Sequence, residues 1–194
     1  METPKPANKN RTIWIIVGVA AVLCIIACAV TFLVVGKMGS DMFNFNPSDV
    51  QGVSDTIAEY DMPPGYKPFM SMSLPSMYDI VALSSDNGTM MIMLMQFTGN
   101  LGMTEEQMQE QVRQSFEQQS GQGGAQMQVV ETREDTIRGQ KVTITVSEGT
   151  GEGVTLRQWM TVFTGNGGPT VLMIQGSTSD WDETLITNFI HSIR

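Results

Sequence analysis

Apolar and polar positions follow two rhythms along this 194-residue chain, and one stretch has no polar positions to speak of. Ile13 to Val35, IWIIVGVAAVLCIIACAVTFLVV, is an unbroken apolar run without a charge. As a helix rising about 1.5 Å per residue it reaches about 34 Å, enough for the hydrocarbon core of a bilayer. The expectation is a transmembrane signal anchor over 13–35. Residues 1–12 ahead of it are polar and read as a cytoplasmic tail. Residues 36–49, GKMGSDMFNFNPSD, read as a linker of Gly, Ser, Asn and Pro whose two aromatics rest near the membrane surface.

From residue 50 onward the rhythm is that of one folded domain, residues 50–194. Thr56 to Tyr60 reads as a short strand running into the turn Met62-Pro63-Pro64-Gly65-Tyr66. Tyr78 to Ser84 and Thr89 to Phe97 are apolar runs separated by Asn87-Gly88, a strong hairpin signal. The period then changes to that of a helix over 104–118. Thr104 and Gln107 form its capping box, Met103 staples onto Met108, and Met108, Val112 and Phe116 make a narrow apolar stripe.

Gln118 to Gln126 is a Gln/Gly-rich connection. Four strands follow in meander order, Met127 to Ile137, Gln140 to Ser147, Val154 to Thr164 and Thr170 to Ser177. In the second of these Val142, Ile144 and Val146 alternate with Thr143 and Thr145, one face buried and one wet. A closing helix spans Asp180 to Ile193, capped by Asp180 and Glu183, with Trp181, Leu185, Ile186, Phe189, Ile190 and Ile193 on its buried face. The predicted fold class is α+β: one N-terminal transmembrane helix, then a mostly antiparallel sheet of six to seven strands with two packed helices.

In element order, residues 55–194 resemble the PsbP-like α/β/α sandwich family. The whole chain also resembles uncharacterised bacterial single-pass membrane proteins with a small outer domain. Neither resemblance carries functional residues across.

Charge orients the apolar run. Lys5, Lys9 and Arg11 precede it and Lys37 follows, which places the N-terminus in the cytoplasm and the C-terminal domain outside the cell membrane. Ile25-Ile26-Ala27-Cys28 is a competing lipobox-like motif in which Cys28 becomes an acylated N-terminus. Ala20, Cys24, Ala27, Cys28 and Thr31 share one helix face, a small-residue stripe suited to self-association or a partner helix. Residues 38–194 hold 7 cations and 19 anions, net −12, which disfavours nucleic acid and anionic lipid headgroups. They contain no cysteine, so packing alone must stabilise them.

Candidate chemistry is sparse. The single histidine, His191, falls opposite the apolar stripe of the last helix and reads as solvated near its C-terminus. With one histidine and no cysteine after residue 37, a Cys-His nucleophile and the usual zinc sites are excluded. Gly149, Gly151 and Gly153 lie between strands and read as a hairpin loop, not a phosphate cradle. Asp180, Asp182 and Glu183 at the start of the last helix favour that helix end, with a hard cation as the other reading. Asn87-Gly88-Thr89 is a glycosylation sequon best explained by its turn.

Methionine is the compositional anomaly, with sixteen residues. Thioethers bind copper(I), and Met70, Met72 and Met77 are the candidate ligands. The competing reading is packing: Met91, Met93 and Met95 share one strand face, while Met90, Ile92 and Leu94 share the other. A third reading is an adaptable Met-rich surface for a peptide or lipid, to which Lys67 to Met77 contributes.

The sequence therefore points to a non-enzymatic, membrane-anchored outer domain that binds or scaffolds an envelope protein, without a cofactor. The alternative is a small-ligand, lipid or Cu(I)-handling domain using its Met-rich segments.

Overall fold

A computed structural model describes residues 43–99, 107, 110, 127–151 and 153–194. Residues Phe43–Arg194 cluster as one compact unit. Its strands are β1 (Phe43–Asn44), β2 (Tyr66–Leu74), β3 (Tyr78–Ser85), β4 (Met90–Phe97), β5 (Gln128–Ile137), β6 (Gln140–Gly151), β7 (Val154–Thr164) and β8 (Pro169–Ser177); helix α1 (Pro47–Ile57) follows β1, and α2 (Glu183–Ser192) follows β8.

The sheet is wholly antiparallel in the order β1-β2-β3-β4-β8-β7-β6-β5. It is two four-stranded meanders, β1 to β4 and β5 to β8, sealed along β4 and β8. The register at that seam is Met90 opposite Gly176, Ile92 opposite Ile174 and Leu94 opposite Leu172. Gly176 is required there, because a Cβ would run into the Met90 sulfur and come within 2.7 Å of the Thr89 carbonyl oxygen.

Both described helices pack on one face. Val50 and Ile57 of α1, and Ile186, Phe189 and Ile190 of α2, join Ile92, Leu94, Ile144, Phe163, Leu172 and Ile174 in one buried cluster. Helix α1 forms because Asn46 caps it, its side chain accepting from Ser48 N at 3.3 Å, and Pro47 supplies the preset φ of a first helical residue. Buried Gln96 locks the layers together. Its Nε2 donates to Thr56 O at 3.2 Å, and its Oε1 accepts from Gly167 N at 2.7 Å. Beyond α1 the chain runs beside the C-terminus, with Glu59 N donating to Arg194 O at 3.1 Å and Arg194 N donating to Glu59 O at 2.9 Å.

Several expectations need correction. The sheet has eight strands, not six to seven. Strand β1 and the start of α1 lie in the stretch read as linker, and Thr56–Ile57 end a helix where a strand was expected. Strand β2 escaped notice because Pro68 and a register shift between Pro68 and Met70 break its alternation. The closing helix starts at Glu183 with Asp182 as its cap, after a single 3-10 turn over Thr178–Asp180.

The single-pass membrane protein is also corrected. Among the described residues no helix is long and apolar enough to cross a membrane. The transmembrane signal anchor over 13–35, its packing face at Ala20, Cys24, Ala27, Cys28 and Thr31, the lipobox-like Ile25–Cys28 and the orientation drawn from flanking charges all lie outside the described residues. The integral membrane partner and the cell-membrane localisation rested on that stretch, and no described helix supports them. Of the helix expected over 104–118, Gln107 and Glu110 are helical, and its other residues lie outside those described.

Candidate functional site

Two adjoining cavities line the helix-bearing side of the domain. One, of about 340 Å³, lies between the Pro64–Tyr66 turn, the Ser85–Asn87 turn and the start of α2. The other, of about 360 Å³, runs on between Asp61–Pro64 and the α2 residues Leu185, Asn188 and Phe189. They share Pro64, Asp182 and Leu185, so together they form one groove.

Its walls are turns held by local chemistry. Gly65 adopts φ +77, Tyr66 N donates to Pro63 O at 3.1 Å, and Asp86 N donates to Gly65 O at 2.8 Å. Across the β3–β4 turn, Asn87 Oδ1 accepts from Thr89 N at 3.2 Å and from the Ser85 hydroxyl at 2.6 Å, while Gly88 takes φ +72. The sequon asparagine is thus spent on its turn. The opposite wall is set by Asp182, whose Oδ1 accepts from Leu185 N at 3.0 Å.

The groove has an apolar floor and an acidic rim. Met90, Tyr66, Leu185 and Phe189 supply apolar surface, while Asp61, Asp86, Asp180 and Asp182 supply carboxylates. Burial, and then the charge of Asp182, push the Tyr66 phenol above its usual value. Asp61 is met by Arg194 at 2.9 Å, and Asp86 by exposed Lys67 at 3.6 Å.

The other sheet face carries the methionines. Following the register across β1, β2, β3, β4, β8 and β7, one row reads Phe43, Met72, Ile80, Met95, Val171, Val162. The next reads Met70, Ala82, Met93, Met173, Met160 from β2 to β7. The expected split of β4 is found: Met90, Ile92 and Leu94 are buried, and Met91, Met93 and Met95 lie on this second face. Of the copper candidates, Met70 and Met72 sit on this face, and Met77 lies in the β2–β3 turn, 55% exposed.

The remaining candidates resolve into structural roles. His191 Nε2 lies 2.8 Å from Asp135 Oδ1, joining α2 to β5. Asp182 caps α2 and Glu183 pairs with Arg133 at 2.8 Å, so these two acids are engaged in holding the helix. Among the described residues no group of three or more His, Cys, Asp or Glu is placed to hold a metal ion. Gly149 and Gly151 lie within β6, and Gly153, at φ +81, turns the chain into β7. The groove itself went unread in the sequence. Its only local signal is Pro63-Pro64-Gly65, because its walls are over a hundred residues apart along the chain.

No family model and no curated protein matches the chain, so the PsbP-like resemblance has no family match behind it. Solved structures with some likeness include a Pseudomonas aeruginosa protein of unknown function, PA94, at 10% identity and TM-score 0.38, covering 56% of this chain and 74% of that one. LpqN of Mycobacterium tuberculosis, described as involved in cell envelope biogenesis, is 14% identical at TM-score 0.36, covering 69% of this chain and 79% of that one.

Proposed function

We propose that the domain is a non-enzymatic protein-binding module whose groove between the Pro63–Tyr66 turn and α2 holds an extended cationic segment of a partner protein. One observation carries this reading: two joined cavities with an apolar floor and four carboxylates at the rim. Apolar floors supply affinity, and carboxylates steer and orient a cationic chain. The net charge of −12 over residues 38–194 extends the same attraction beyond the groove. The expectation of an envelope partner derived from the orientation of residues 13–35, so the proposal stands without it.

A titration of the protein with Lys/Arg-containing peptides, followed by amide shifts, tests the reading. Shifts should concentrate on Gly65, Tyr66, Asn87 and Leu185 and shrink as salt is added. Replacing Asp86 and Asp180 by Asn should weaken binding about 2- to 5-fold per carboxylate. Equal binding of acidic peptides, or shifts mapped elsewhere, would sink the proposal.

A further inference from the structure

The register through β4, β8 and β7 sets three methionines side by side. Met93 opposes Met173 and Met173 opposes Met160, so the three lie in one row on the sheet face turned away from the helices. Ala82 ends the run beyond Met93, and Thr145 ends it beyond Met160. Directly opposed residues hold their Cβ atoms about 4.5–5.5 Å apart. Each methionine has three rotatable bonds, so the outer two side chains can lean onto the central one and bring three sulfurs together over Met173.

Residue choice on the two faces separates this row from ordinary packing. Where β4 and β8 are fully buried under the helices they use branched side chains, Ile92, Leu94, Leu172 and Ile174, apart from Met90 at the start of β4. On the opposite face of the same strands, Met93 and Met173 are half-buried and Met91 is 39% exposed. Filling space there asks nothing that leucine lacks, whereas a thioether adds a soft, neutral sulfur donor. The rows on either side, Met95-Val171-Val162 and Met91-Gln175-Gln158, carry no charge. A hard cation therefore finds no carboxylate in these rows.

We propose that Met93, Met173 and Met160 form a three-thioether site for a soft monovalent cation of the copper(I) class. It is a different set from Met70, Met72 and Met77: the first two lie on β2, separated from Met93 by β3, and the third lies in the β2–β3 turn. The site and the groove occupy opposite faces of the sheet, so neither reading depends on the other.

Silver(I), an air-stable probe of the same class, tests it on the full chain carrying Cys24→Ser and Cys28→Ser, so that no thiol competes. Titration in chloride-free buffer, followed by the methionine methyl signals, should show a single equivalent bound, with Met93, Met160 and Met173 shifting together while exposed Met62 and Met77 stay still. Copper(I), supplied without oxygen, should displace the silver. Met173→Leu conserves volume and should weaken binding at least about tenfold, the loss that follows removal of even an outer-shell metal partner. Met77→Leu should change nothing. Neutral thioethers have no proton to release, so affinity should be the same at about pH 5 and pH 8. The proposal is overturned by an absence of binding, by shifts spread equally over Met62 and Met77, by silver that copper(I) does not displace, by undiminished binding in Met173→Leu, or by a tenfold fall in affinity towards the lower pH. If circular dichroism shows that Met173→Leu has unfolded, Met93→Leu and Met160→Leu decide by the same measure.

Discussion

His191 Nε2 sits 2.8 Å from Asp135 Oδ1, fastening the last turn of α2 to the edge strand β5. Burial pushes the Asp135 carboxyl up, but hydrogen bonds from His191 and from Thr136 N, with the charges of His191 and Arg133, outweigh it and hold the group below its usual value. A depressed carboxyl stabilises the fold above its unfolded value and loses that contribution as pH falls through the folded one. Thermal unfolding followed downward from about pH 5 should therefore show an acid-side loss that Asp135→Asn diminishes. An unchanged acid limb in the variant would remove Asp135 from the account.

Gln96 offers a second test. Changing it to Leu keeps the volume but takes away the partners of Thr56 O and Gly167 N, at about 1 kcal/mol or more for each of these part-buried hydrogen bonds. Denaturant unfolding should show a loss of about 2 kcal/mol or more.

Gly176→Ala should lower stability by about 1–3 kcal/mol through overpacking against Met90 and Thr89. Adding Met90→Ala should recover little, because the Thr89 carbonyl is backbone and cannot yield. Thermal melts of the single and double variants check this.

The Arg133 guanidinium stacks 3.6 Å from the centre of the Trp159 ring and pairs with Glu183 at 2.8 Å. Lysine cannot stack flat and bond sideways at once. Arg133→Lys should cost about 1 kcal/mol and shift the Trp159 fluorescence maximum, read together in one melt.

The C-terminal meander was legible because its strands alternate cleanly and its turns are marked. Val142, Ile144 and Val146 are buried on the side their spacing assigned. The hairpin at Asn87-Gly88 was legible for the same reason. Helix α1 was not, because Pro47, Ser48, Gly52 and Ser54 give it the composition of a linker, and its burial of Val50 and Ile57 depends on strands far along the chain. The groove was hidden for a related reason: Pro64 and Leu185 meet only once the sheet has closed.

The seam between β4 and β8 has a kinetic meaning. Within each meander, neighbouring strands are joined by short turns and close small loops, except β1 and β2, which α1 separates. Across the seam, Met90 meets Gly176 and Gln96 meets Thr170, partners some eighty residues apart. Loop-closure entropy is therefore concentrated in one docking event, and the folding rate should depend on that event more than on any hairpin.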